Sequence, residues 1–237
     1  MKQMILFPHA GGFAAGYMYL AAQLEEAFDG KIQVLAYEYS GRGKKSQEMG
    51  YKNFEDAVFR ITKDLTEHFL VPGNELILFG HSMGAFIAVE TAYALRRMYG
   101  ISPKKMFISG QSSPYHKADL KRELTDEEGY AYIRALGGTS EEIIENKYFY
   151  EKLYCFVKND ITMLERYEAA QRPILLDSDL YIMNGTEDTE LMEEELIQWP
   201  EITSGKCEIK LFHGGHFYIQ EQVMEIADYI SERIWEG

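Results

Sequence analysis

Five residues, Gly80-His81-Ser82-Met83-Gly84, have the form Gly-x-Ser-x-Gly. This pattern suits a serine held on a sharp turn between a strand and a helix. The flanks agree, since residues 75–79 read as a strand and residues 83–99 as a helix. Glycines at 80 and 84 leave room for backbone to approach closely. Such a turn strains Ser82 and holds its hydroxyl clear of the sheet. The Met83 N–H then stands at a helix N-terminus, where it can stabilise an oxyanion. A serine hydroxyl is a weak nucleophile near neutrality and needs a base within hydrogen-bond reach. The histidines on offer are His9, His68, His81, His116, His213 and His216. In a sheet enzyme with this turn, acid and then base follow the serine in chain order. His68 precedes the turn, His81 is expected to point away from Ser82, and His116 lies too early. His213 and His216 flank Gly214-Gly215 after a late strand, where a base belongs. His213 sits nearer the strand end and reads as a packed residue, so His216 is the expected base. The acid should follow the preceding strand. Asp188 is the first choice there, with Glu187 and Glu190 as alternatives, and an exposed acidic loop is the plain reading of the same stretch. Near the start, Phe7-Pro8-His9-Ala10-Gly11-Gly12 follows the first strand and can present a second oxyanion N–H, from Ala10 or a residue either side.

These groups need a scaffold. Apolar runs at 4–7, 33–37, 76–79, 106–109, 180–183 and 208–212 read as strands. Residues 17–28, 54–69, 83–99 and 223–235 read as helices. The alternation predicts a mainly parallel central sheet with helices on both faces, the α/β-hydrolase arrangement. The rhythm breaks at about 120–170, which holds no convincing strand. Thr125 with Glu128, and Thr139 with Glu142, have capping-box spacing, and residues 149–169 read as a further helix. A helical insertion there is expected to cover the site as a lid within a single domain spanning 1–237.

Composition bounds the function. The chain has 237 residues, 46% apolar and 14% aromatic, enough for one packed core. A formal charge of −14 argues against nucleic-acid binding and against an anionic membrane surface. Cys155 and Cys207 lack metal-ligand spacing. The stretch before Pro8 is too short for a signal peptide, and no apolar run reaches spanning length. A reduced, cytoplasmic protein is expected. Gly41-Arg42-Gly43-Lys44-Lys45 is not a phosphate-binding loop, and no cofactor is expected.

Taken together the motifs resemble a type II thioesterase, the free-standing editing enzyme of nonribosomal peptide and polyketide synthesis. The resemblance rests on Phe7-Pro8-His9-Ala10-Gly11-Gly12, Gly41-Arg42-Gly43, Gly80-His81-Ser82-Met83-Gly84-Ala85 and Gly214-Gly215-His216-Phe217. Asn159-Asp160 and Leu164-Glu165-Arg166-Tyr167 resemble the end of that family's lid. The family often has Pro-Gly-Arg-Gly where this chain has Ser40-Gly41-Arg42-Gly43. The resemblance implies hydrolysis of acyl groups from the phosphopantetheine arm of an acyl or peptidyl carrier domain, with Ser82, Asp188 and His216 as the triad. Carrier domains are generally acidic, so docking on this acidic chain would need local basic clusters. Lys117 with Lys121 and Arg122, or Lys44-Lys45, are the candidates. A small-molecule esterase with the same triad is the competing reading. A non-catalytic binding module is a third, and it has no need of all three triad residues.

Overall fold

The computed structural model describes residues 1–116, 126–168, 175–191 and 193–235. Its strands are β1 (Lys2–Phe7), β2 (Ile32–Ala36), β3 (Glu75–His81), β4 (Lys105–Ser109), β5 (Asp179–Gly185) and β6 (Cys207–Phe212). Its helices are α1 (Met18–Ala27), α2 (Phe54–Asp64), α3 (Met83–Tyr99), α4 (Asp126–Leu136), α5 (Glu141–Glu145), α6 (Lys147–Glu165), α7 (Glu193–Leu196), α8 (Tyr218–Glu221) and α9 (Val223–Trp235). The sheet order is β2-β1-β3-β4-β5-β6, and every neighbouring pair is parallel.

Alternation along the central strands divides the core between the two faces. Ile5, Phe7, Leu76 and Leu78 join a cluster with α2 and α3 residues such as Phe54, Ile61 and Phe86. Met4, Leu6, Ile77 and Phe79 join another with α1 and α9 residues such as Leu24, Ile226 and Ile230. A sheet covered on both faces needs continuous apolar runs in its strands, and β1 and β3 have them at residues 4–7 and 76–79. Each fully buried phenylalanine, Phe79 and Phe86 among them, contributes about 1.5–3 kcal/mol.

The strand order reverses between β1 and β3, because β1 is followed by β2 on one side while β3 leads away on the other. A crevice forms beyond the carboxyl ends of strands at such a switch point. Phe7 pairs with Gly80, so the loop after β1 and the turn after β3 emerge side by side. Between β4 and β5 the chain makes the inserted helices α4, α5 and α6. Asn146 caps α6 by accepting the Phe149 N–H at 3.3 Å, so the helix starts two residues before the expected 149 and ends at Glu165 rather than 169. The N-cap of α5 is Ser140, one residue beyond the expected Thr139, and its side chain makes no capping bond. Thr125, the other expected cap, lies outside the described residues. Among the described residues no helix is long and apolar enough to cross a membrane.

Candidate active site

Ser82 is the residue between β3 and α3, at φ 55° and ψ −120°. A non-glycine residue at positive φ costs about 1–2 kcal/mol, and the surroundings hold it there. Ser82 N–H donates to the Ser109 carbonyl at 2.8 Å, and its own carbonyl accepts from Ala85 N–H at 2.9 Å. The glycines are obligatory at this turn. A Cβ on Gly80 would lie 2.1 Å from the Gly84 carbonyl oxygen, and one on Gly84 would lie 2.0 Å from that of Phe7. Met83 is the first residue of α3, so its N–H has no partner one turn back in the helix.

His216 follows β6 through Gly214-Gly215, with Gly214 at φ 124°. That loop is knit to the end of β5. Thr186 N–H donates to the Phe212 carbonyl at 2.8 Å, and Glu187 N–H to that of Gly214 at 2.9 Å. A Cβ on Gly185 would meet the Gly214 and Gly215 carbonyl oxygens at 2.3 and 2.4 Å. This close approach puts Asp188 Oδ2 2.9 Å from His216 Nδ1, with the carboxylate fully buried. Asp188 Oδ1 accepts the Glu190 N–H at 2.9 Å. With Nδ1 held by the carboxylate, Nε2 is the nitrogen left to take a proton. The competing acids have other partners. Glu187 pairs with His213 at 3.3 Å in solvent, and Glu190 accepts from the Tyr132 hydroxyl at 2.7 Å. His213 is therefore exposed, not packed as expected, because the β6 end turns it outward. His68 is also exposed, beside Asp64.

The loop after β1 is held residue by residue. Its His9 N–H donates to Tyr17 Oη at 3.2 Å, and Gly11 N–H to Asp160 Oδ2 at 2.7 Å. Both neighbours of the Ala10 N–H are thus committed. Ala10, Ser82 and His216 border one cavity of about 380 Å³. Its other wall comes from the insertion, including Ile133, Leu136, Val157 and Ile161.

Sequence reasoning missed a histidine cluster under the site. His81 is fully buried, with Nδ1 2.9 Å from Ser109 Oγ and its ring centroid 5.0 Å from that of His216. His9 packs edge-on against Phe217 at 4.7 Å, and its Nδ1 lies 2.8 Å from Tyr17 Oη. Burial first, and then the neighbouring His216, push the His81 pKa far below the ordinary histidine range. The same causes, with Arg42 added, lower His9 to about 3. Both rings stay neutral at physiological pH and are poor bases. The signal available in sequence was only the placement of these histidines inside the two glycine loops.

Of the expected docking clusters, Lys45 is engaged with Asp64 and with Tyr37 Oη, while Lys44 is exposed. Lys117, Lys121 and Arg122 lie outside the described residues. Among the described residues no group of three His, Cys, Asp or Glu side chains could hold a metal ion.

This arrangement has relatives. Thioesterase PikA5 of Streptomyces venezuelae is 29% identical over 234 residues, which cover 98% of this chain and 80% of that protein. The medium-chain S-acyl fatty acid synthase thioesterase of Anas platyrhynchos is 30% identical over 243 residues, covering 98% of this chain and 92% of that one. The solved structure of the type II thioesterase BorB, from the borrelidin biosynthetic cluster, matches with a TM-score of 0.84 at 29% identity, covering 98% of this chain and 92% of that one. The family model described as Thioesterase domain matches residues 2–234, and this chain belongs to that family.

Proposed function

We propose that the protein is an editing thioesterase that clears misprimed or stalled acyl groups from the phosphopantetheine arm of carrier domains in nonribosomal peptide or polyketide synthesis. The observation that carries the reading is the convergence on one cavity of Ser82, His216 bonded to Asp188, and Ala10. The relatives PikA5 and BorB support the substrate class.

Ser82 Oγ attacks the thioester carbonyl while His216 Nε2 takes its proton. Asp188 orients the ring and stabilises the imidazolium. The N–H groups of Met83 and Ala10 hold the oxyanion of the tetrahedral intermediate. The C–S bond breaks, the carrier thiol leaves with the proton from His216, and the acyl group stays on Ser82. Water then gives a proton to His216 and adds to the acyl carbon, the ester C–O bond to Ser82 breaks, the acid leaves, and His216 returns the proton to Ser82 Oγ. The reaction uses protein groups and water, with no added cofactor. Helices α4 to α6 act as a lid that limits water during the first step. The working compartment is the cytoplasm, where the free thiols of Cys155 and Cys207 stay reduced.

A second reading is hydrolysis of longer fatty acyl chains, favoured by the 30% identity to the Anas platyrhynchos enzyme. The experiment compares acetyl and medium-chain groups on a phosphopantetheinylated carrier with the same groups on a small thiol, with Ser82→Ala as control. A much higher kcat/KM for the carrier-bound acetyl group supports editing. Preference for the medium chain moves the assignment to fatty acyl release. Equal or better turnover of the small thioester makes the protein a general acyl hydrolase.

A further inference from the structure

Arg42 and Asp160 stand 118 residues apart in sequence and form a buried bidentate pair. Arg42 Nη2 donates to Asp160 Oδ1 at 2.8 Å and Nη1 to Oδ2 at 3.0 Å. Both side chains are about 95% buried, at 5% and 6% exposure. Burial weighs against the Arg42 charge, and the field and hydrogen bonds of Asp160 outweigh it, so the guanidinium stays protonated. The pair reaches further than itself. Arg42 Nη1 also donates to the Gly12 carbonyl at 3.1 Å, and Asp160 Oδ2 also accepts the Gly11 N–H. Arg42 is packed against the rings of Tyr39, Phe156 and Phe13 at 5.4, 5.1 and 6.0 Å. Tyr39 in turn donates its hydroxyl to the Pro8 carbonyl at 2.9 Å. Three separate segments therefore meet at one ion pair: the loop after β2, helix α6 of the insertion, and the loop that carries Ala10.

We propose that Arg42 and Asp160 are positioning residues that lock the loop of residues 8–12 so that the Ala10 N–H faces the cavity, and that they fasten helix α6 to the same loop. This rests on the oxyanion role given to Ala10 above. Gly11 allows the geometry. It sits at φ +76°, and a Cβ there would lie 2.3 Å from Val157 Cγ2 on α6. A loop of small residues has little stiffness of its own. The pair supplies it by fixing the N–H of one residue and the carbonyl of the next. Asp160 also follows Tyr154 and Val157 in the buried stripe of α6, so the helix cannot move away without leaving the buried Arg42 charge unpaired.

The test uses the full-length enzyme and two variants, Asp160→Asn and Arg42→Lys. Asp160→Asn keeps the size of its side chain and Arg42→Lys keeps its charge, and each disturbs the bidentate pair. Steady-state hydrolysis of a small acyl thioester is measured well below each variant's Tm, with the affinity of a boronic acid that forms a tetrahedral adduct on Ser82. A non-hydrolysable ground-state analogue, the substrate's thioether, is titrated in parallel. The expected result is a kcat lower by about ten- to a hundredfold, KM within threefold, and boronate affinity falling with kcat while thioether affinity holds. Arg42→Lys, which retains the charge, should fall less than Asp160→Asn. Unchanged kcat and boronate affinity in a folded variant would overturn the proposal. So would equal losses in boronate and thioether binding, which indicate general loosening. If Asp160→Asn fails to fold, Arg42→Lys alone decides by the same readouts. Turnover that survives Ser82→Ala would instead overturn the serine mechanism, a failure visible without either positioning variant.

Discussion

The two ends of the insertion are built differently. At its root, α6 carries Asp160 into the buried pair with Arg42, and beyond the helix Tyr167 stacks on Phe54 at 4.2 Å and donates to Glu90 at 2.6 Å. At its front, α4 rests on α6 through a small cluster of Ile133, Tyr154 and Val157. Its polar ties include two exposed ones, Tyr132 to Glu190 at 2.7 Å and Gln220 to the Gly138 carbonyl at 3.3 Å, besides the half-buried bond from the Tyr150 hydroxyl to the Tyr130 carbonyl at 2.6 Å. Between α4 and α5 lie Gly137 and Gly138 at φ +77° and +73°. Buried, paired contacts open at a cost near that of global unfolding, while exposed ties open cheaply. A cover over a site therefore need not move as one body. In the mechanism proposed above, the root keeps the loop of residues 8–12 in order while the front admits substrate.

The comparison breaks first at the root. Asp160→Ala leaves Arg42 buried without its counter-charge and should cost about 3–5 kcal/mol of stability, read as a large fall in Tm or in the urea midpoint. A loss below 1 kcal/mol would place the root on a par with the front. Acid is a second lever, because it loads the floor of the site and not the front, whose residues 126–145 contain no histidine. His9 has a folded-state pKa of about 3, below its unfolded value, so its contribution is present above pH 6.5 and is lost as pH falls towards 3. That amounts to about 2 kcal/mol by pH 5 from His9, with His81 adding in the same direction. His9→Gln should flatten the slope of stability against pH in that window, and an unchanged slope would mean His9 does not titrate there.

Smaller effects belong to the front. Gly138→Ala puts a side chain at positive φ, with its Cβ 2.5 Å from the Phe217 ring, and should cost about 1–2 kcal/mol. Because Phe217 borders the cavity, KM should shift as well. Tyr132→Phe removes one exposed hydrogen bond and should change stability by less than about 0.5 kcal/mol. Hydrogen exchange should then quicken in α4 and α5 and stay unchanged in the second half of α6. Equal quickening in both would show the insertion to be one cooperative unit.

Much of the candidate site's geometry was legible because its determinants are local. The Gly80–Gly84 turn and the Gly214-Gly215-His216 loop each keep their determinants within a few residues, and the alternation of strands and helices fixes which ends of the sheet they share. What escaped was tertiary. Arg42 and Asp160 read as two unconnected motifs, although Asp160 falls on the buried stripe of α6 with Tyr154, Val157 and Leu164, where a lone carboxylate asks for a partner. His81 and His9 escaped for the same reason, since the contacts of His81 with His216 and of His9 with His81 and Phe217 come from the pairing of β1 with β3 and from the loop after β6. The errors at Ser140 and His213 are local and concern a cap displaced by one residue and a side chain turned outward at a strand end.

The most direct test of the account is to trap the acyl-enzyme. The protein is mixed with an acetylated carrier domain, quenched in acid within a turnover, digested and read by mass spectrometry. The account predicts an acetyl group on the peptide containing Ser82, lost in Ser82→Ala, with free carrier thiol released in equal amount. An acetyl group on another residue, or thiol release that continues in Ser82→Ala, would contradict it.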